Sequence, residues 1–131
     1  MRYLVFFWVC IVLTPSNSLA QHQVDDCKES EYEVARGKCL EEVLQELNTE
    51  LSQLNETALK KIEKASYMDD AVREEWKGLY RASHRQWETH RSMDCRLVRY
   101  EWWGGSGGGN AMLKCEIFKT RLRIEELKTR Y

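Results

Sequence analysis

The chain has 131 residues, of which 43% are apolar and 31% charged, and this length fits one ordinary globular domain. Its 20 basic and 21 acidic residues nearly cancel, so the charge balance predicts no nucleic-acid partner and excludes a disordered acidic or basic tail. The single proline is Pro15, so the rest of the chain lacks the strongest helix breaker.

The first twenty residues have the three-part layout of a secretory signal peptide. Arg2 follows the first Met, residues 3–13 form an unbroken apolar run, and the segment ends in the small-x-small pattern Ser18-Leu19-Ala20. The run is too short to span a bilayer, which needs about 20 apolar residues. We therefore predict cleavage near Ala20, export to an oxidising compartment, and a single domain over residues 21–131 with no stable membrane span.

Four cysteines remain in the exported chain: Cys27, Cys39, Cys95 and Cys115. An even number of cysteines in a small exported domain indicates disulfide bonds, here two. Three pairings are open, and proximity in the sequence favours Cys27–Cys39 and Cys95–Cys115, each worth about 3 kcal/mol in the chain-entropy model. No CxxC motif supports a thioredoxin-like redox site or a zinc knuckle.

Apolar residues recur every three or four positions in two long segments, and this spacing predicts two amphipathic helices. The first stripe covers residues 40–65, and we expect residues 21–38 to form an N-terminal arm or short helix. Asp69 or Asp70 is the predicted N-cap of the second helix. The inward face expected for that helix consists of Val72, Trp76, Leu79, Ser83, Trp87, His90 and Asp94, with Tyr80 on its flank.

Residues 104–109 include five glycines and predict a loop, because glycine disfavours helix. A third stripe at helical spacing follows the loop: Leu113, Ile117, Thr120, Ile124 and Leu127. No segment alternates apolar and polar residues as a half-buried strand does. The predicted fold is therefore all-α, with two long antiparallel helices and a shorter C-terminal helix, stapled by two disulfides.

Charge is unevenly distributed along the chain. Residues 25–58 hold ten acidic and three basic residues, whereas residues 81–131 hold eleven basic and six acidic ones. Mutual attraction between the helices explains this division, and so does a cationic partner recognised through complementary fields. The acids that we expect to face such a partner are Glu41, Glu42, Glu46 and Glu50.

The residues provide no catalytic constellation, so we predict that the protein is not an enzyme and uses no cofactor or metal. His84 and His90 are six residues apart, which does not suit a metal pair on one helix face. Four residues are interpreted as structural. Trp87 and Arg91 belong to a Trp-Arg-Cys row on the second helix, and Arg121 and Arg123 are expected to be ion-pair partners.

Trp102 and Trp103 precede the glycine segment, and two adjacent tryptophans cannot easily both face the core. We predict that one of them is a partner anchor, because Trp is enriched at interface hot spots. Ser106 and Asn110 are expected to supply hydrogen bonds from the same loop, residues 102–110.

Residues 83–95 read SHRQWETHRSMDC and resemble the AQRAWxxYRDAxC signature of the LprI-like lysozyme inhibitor family. Downstream, residues 104–106 (GGS), Cys115 and residues 120–127 (TRLRIEEL) resemble the family's GGS…C…TxxR…L tail. Cys27 and Cys39 resemble its N-terminal cysteine pair, and Leu47-Asn48 its LN element. The resemblance covers residues 27–127. It implies a helical, disulfide-stapled periplasmic or surface protein that binds and blocks lysozyme. Our leading hypothesis is an inhibitor of lysozyme or a related peptidoglycan hydrolase.

Lysozymes of the animal type are strongly basic, so the acidic first helix would steer the two proteins together, and the loop 102–110 would enter the substrate cleft. Two alternatives stay open at this point. One is an immunity protein against a cell-wall-degrading toxin, and the other is an envelope scaffold protein with no inhibitory role.

Overall fold

A computed structural model of the chain describes Cys27, residues 32–103 and residues 105–131. Within these residues it contains three α-helices and no strand: α1 (Glu33–Glu63), α2 (Asp70–Glu101) and α3 (Gly108–Arg130). The all-α prediction, with two long helices and a shorter C-terminal one, is confirmed. The predicted signal peptide, residues 1–20, lies outside the described residues.

The shortest helix, α3, packs against both long helices more extensively than these pack against each other. Asn110 near the start of α3 contacts Glu33 at the start of α1, and Lys61 near the end of α1 donates to the Tyr131 carbonyl, so α1 and α3 run parallel. The early Tyr80 of α2 packs edge-on against Tyr131, with ring centroids 5.5 Å apart, so α2 runs antiparallel to both.

The core follows the apolar stripes predicted for α1 and α3. Its main members are Leu40, Val43, Leu47, Leu51, Ala58 and Ile62 from α1, and Ile117, Ile124 and Leu127 from α3. The start of α1 differs from the prediction, because residues 33–38 continue the helix instead of forming a separate arm. Glu33 favours the extension, because it places a negative charge in the first turn and forms an ion pair with Arg36 one turn later.

The inward face predicted for α2 is wrong by about one residue position. Leu79 is 63% exposed, and Ser83 and His90 are exposed as well. The residues of α2 that are buried or half-buried toward its neighbours are Trp76, Tyr80, His84, Trp87, Arg91 and Cys95. Apolar periodicity missed this face because two of its positions hold a histidine and an arginine, whose polar groups are hydrogen-bonded to other helices.

The helix boundaries confirm one cap and correct one loop. Asp69 is the N-cap of α2, and its carboxylate accepts a hydrogen bond from the Val72 amide at 2.9 Å. The predicted glycine loop is shorter than expected, since α3 begins at Gly108. Gly108 is buried against α2: a Cβ atom there would lie 3.2 Å from the Arg99 carbonyl oxygen, so a side chain at this position would crowd the close approach of the two helices. Asn110 therefore belongs to α3.

Both disulfides favoured by sequence proximity are present. The Cα atoms are 5.7 Å apart in Cys27–Cys39 and 5.5 Å apart in Cys95–Cys115. The first bond holds the chain before α1 to its second turn, and the second joins the end of α2 to α3. Over the described part of the chain, no helix has both the length and the hydropathy that a bilayer crossing requires.

Candidate partner-binding surfaces

The outer surface of α1 is acidic. Residues 39–59 contain five glutamates and no basic residue. Glu41, Glu42 and Glu46 are exposed, whereas Glu50 pairs with Lys128 of α3 at 2.8 Å. The hydrogen bond that Lys128 donates to this glutamate raises the pKa of Lys128 above its ordinary value. Of the four acids predicted to face a partner, Glu50 is thus engaged by the fold, and the negative charge of the face centres on Glu41 and Glu42.

A shallow groove of about 510 Å³ follows this acidic face. Glu41 stands at its edge, and its remaining lining residues are Leu44, Gln45, Asn48, Thr49, Ser52 and Gln53. Amide and hydroxyl side chains both donate and accept hydrogen bonds, so the groove presents mixed hydrogen-bonding capacity beside carboxylates. The combination suits a polar, positively charged protein surface. We call Glu41, Glu42 and this groove the acidic face.

Arg91 ties the three helices together behind the acidic face. Its guanidinium Nη1 donates to Asn48 Oδ1 of α1 at 2.9 Å and to Thr120 Oγ1 of α3 at 2.7 Å. The guanidinium also lies over the Trp87 ring, 5.0 Å from the centroid, and Arg123 approaches the same ring at 5.7 Å. These contacts support the structural interpretation of Trp87 and Arg91.

The two C-terminal arginines also lie within the helix packing. Arg123 is only 8% exposed and pairs with Glu126, three residues further along α3, at 2.6 Å. This ion pair lies within one helix and fits the interpretation of Arg123 as an ion-pair partner. Arg121 is half-buried on α3 and is engaged in a contact there.

A buried polar chain crosses from α1 to α2 and was not singled out from the sequence. The Tyr80 hydroxyl donates to Asn55 Oδ1 at 2.5 Å, and Asn55 Nδ2 lies 3.0 Å from His84 Nε2. With Asn55 donating, Nε2 is the acceptor nitrogen and the imidazole is neutral. Burial lowers the pKa of His84, which favours the same neutral form. The only sequence signal was the asparagine itself, placed between Leu51 and Ala58 in an otherwise apolar stripe.

The far end of α2 is aromatic and basic. Trp102 is 53% exposed and Trp103 is 84% exposed, and the Trp103 ring stacks on Tyr100 with centroids 6.0 Å apart. Together with Arg96 and Arg99 these aromatic residues line a cavity of about 810 Å³, closed on its other side by Ser106 and three glycines. Neither arginine has an ion-pair partner within the described residues. We call this region the aromatic–arginine end.

Asn110, predicted to bind a partner, is engaged inside the molecule. Its Nδ2 donates to the Glu33 carbonyl at 3.0 Å and to Glu33 Oε2 at 2.6 Å, which joins the first turns of α3 and α1. Ser106 is exposed in the turn that precedes α3. The acidic face and the aromatic–arginine end thus belong to different helices, while Asn110 contributes to the packing between α1 and α3.

Comparison with known protein families finds a match over most of the chain. The model of the family described as lysozyme inhibitor LprI matches residues 16–127, which is most of the chain and includes both disulfides and all but the last three residues of α3. No curated protein and no solved structure matches the chain. From this match, the chain belongs to the LprI lysozyme inhibitor family.

Proposed function

We propose that this protein is an exported inhibitor that binds lysozyme, or a related peptidoglycan hydrolase, through the acidic face of α1. Family membership supports the inhibitor class. We assign the contact to α1 because residues 39–59 contain five glutamates and no basic residue. A strongly basic enzyme is attracted to such a face at long range and pairs with it on contact.

The exported location rests on two observations. The sequence begins with a signal-peptide layout, and both disulfides are of the kind that persists in oxidising compartments. An inhibitor placed outside the cytoplasm meets hydrolases that attack the cell wall from without. Cleavage near Ala20 is part of this proposal.

Contact through the loop 102–110 stays a prediction with less support than the acidic face. Asn110 is already bonded to Glu33, and the two tryptophans stand beside Arg96 and Arg99. A basic enzyme would meet like charge at that end, and like charges placed opposite each other cost affinity. The proposed inhibitory contact therefore uses α1.

The experiment is a lysis assay in which the oxidised, exported protein is titrated against animal-type lysozyme on suspended bacterial cell walls. We expect stoichiometric loss of lysis that weakens as salt is added, since exposed charges are screened within about 10 Å at 0.1 M salt. No inhibition at a large molar excess would remove animal-type lysozyme as the target, and the immunity and scaffold alternatives would then lead.

A matched pair of charge reversals locates the surface. Glu42→Lys on α1 and Glu75→Lys on α2 change the net charge equally, and both glutamates are exposed on helices. We expect Glu42→Lys to weaken inhibition at least tenfold, about 1.4 kcal/mol, while Glu75→Lys has little effect. Equal effects of the two substitutions would show that net charge matters and that the acidic face does not.

A further inference from the structure

The end of α2 presents an apolar stripe to solvent that no other described element covers. Met93, Leu97 and Tyr100 follow one another at helical spacing and are 63%, 61% and 57% exposed. Trp103 extends the stripe beyond the last turn. Cys95, on the opposite side of the helix, is fully buried against α3. The stripe is therefore the outward side of a helix whose inward side is already packed.

Positive charge accompanies the stripe. Arg96 lies between Met93 and Tyr100 on the same helical face, and Arg99 lines the cavity beneath the tryptophans. Residues 96–103 contain one acid, Glu101, which does not line the cavity. Asp94, one turn earlier, is paired with Lys119 at 2.6 Å, and this hydrogen bond lowers the pKa of the carboxyl group. The outward side of this end is thus apolar, aromatic and cationic together.

We propose that the aromatic–arginine end binds the surface of a membrane that contains anionic phospholipid, as a peripheral contact. Trp and Tyr are enriched where a bilayer meets water, because their rings are apolar with one polar group. Arginines beside such residues pair with lipid phosphates, and an apolar helix face flanked by basic residues lies in the plane of the interface. The half-enclosed cavity of about 810 Å³ between Arg99 and Trp102 leaves room for a phosphate headgroup.

This site is separate from the acidic face proposed for the hydrolase. The two surfaces lie on different helices and carry opposite charge. An anionic membrane attracts the end of α2 and repels the acidic face of α1, so the acidic face stays away from the membrane. The arrangement would retain the inhibitor at the cell envelope. The membrane site can be tested without any lysozyme, and its failure would leave the proposed inhibition untouched.

The test is co-sedimentation of the oxidised protein, purified after export, with vesicles of phosphatidylcholine alone and with vesicles that also contain phosphatidylglycerol. We expect binding to the second kind only, decreasing with added salt. Each basic residue near an anionic surface contributes about a factor of five, so R96Q/R99Q should weaken binding about 30-fold. The matched control is R81Q/R85Q, which removes two exposed arginines from the first half of α2 and should leave binding close to that of the unaltered protein.

A second pair of variants tests the apolar stripe. Leu97→Ala and Leu79→Ala shorten the same side chain at positions of nearly equal exposure on α2, and only the first should weaken vesicle binding. Far-UV circular dichroism confirms that each variant is folded. Binding to neither vesicle, equal binding to both, or equal losses in R96Q/R99Q and R81Q/R85Q would each overturn the proposal. So would saturable binding of polyglutamate without vesicle binding, which would identify an acidic protein as the occupant.

Discussion

Replacing Arg91 by methionine should destabilise the protein more than the same replacement of an exposed arginine on α2. The substitution keeps an unbranched, apolar stem and removes the guanidinium, whose contacts reach α1 and α3. A hydrogen bond from a charged donor contributes about 1.5–3 kcal/mol, and the stacking on Trp87 adds about 0.5–1 kcal/mol. Asn48 is exposed and regains a water partner, whereas Thr120 is fully buried and keeps only the hydrogen bond that its hydroxyl donates to the Glu116 carbonyl.

We therefore expect Arg91→Met to lower the free energy of unfolding by about 3 kcal/mol, which shifts the urea midpoint by about 2 M for a slope of about 1.5 kcal/mol per M. Arg85→Met is the control, because Arg85 is exposed on the same helix, and its effect should stay within about 0.5 kcal/mol. Combining Arg91→Met with Thr120→Val should reveal a coupling energy of about 1.5 kcal/mol. Equal midpoints for the two arginine variants, or additive effects in the double mutant, would refute the structural role given to Arg91.

Three further predictions concern the backbone, the disulfide and pH. Gly78→Ala should stabilise the protein by about 1 kcal/mol in thermal unfolding, because alanine favours helix and nothing lies within 4 Å of the Cβ position. Gly108→Ala should instead destabilise the protein, because its Cβ would crowd the Arg99 carbonyl and Trp102. Replacing both Cys95 and Cys115 by alanine should lower the free energy of unfolding by about 3 kcal/mol while far-UV dichroism stays helical; an unchanged urea midpoint would contradict this. Burial lowers the pKa of His84. Just below the ordinary histidine pKa of about 6.5, the folded state therefore binds fewer protons than the unfolded chain. As a result, the free energy of unfolding decreases as pH falls through that range. His84→Gln should lose less stability than the unaltered protein between pH 7 and pH 5, and parallel curves for the two proteins would contradict the assignment.

The fold was predictable wherever apolar periodicity alone determines burial. The stripes of α1 and α3 follow from mainly Leu, Ile and Val residues at steps of three and four, and proximity along the chain favoured the disulfide pairs that form. The inward face of α2 was not predictable in this way. His84 and Arg91 occupy inward positions because Asn55, Asn48 and Thr120 on the other helices satisfy their polar groups. No pattern within α2 contains those partners, which lie 29 to 43 residues away along the chain.

The start of α3 was missed for a related reason. Glycine content predicts a loop because each glycine weakens a helix by about 1 kcal/mol. At Gly108 that local cost is offset by packing, since the absence of a Cβ lets α3 begin close to α2 without crowding the Arg99 carbonyl. The shorter loop places Asn110 in the first turn of α3, where its side-chain amide donates to Glu33. The local preference of the glycine-rich segment favours a loop, whereas its packing against α2 favours the start of a helix. Only the local preference is visible in the sequence.

The candidate surface shows how an uneven charge distribution is divided between folding and binding. The sequence admitted two explanations for its acidic first half: attraction between helices and attraction of a cationic partner. Glu50 serves the first, since it pairs with Lys128 across α1 and α3. Glu41 and Glu42 have no ion-pair partner among the described residues, so their charge remains available for the second. Charge reversal at Glu50 should therefore lower stability, whereas reversal at Glu42 should leave unfolding unchanged and weaken inhibition. Measuring both quantities on both variants separates the two explanations residue by residue.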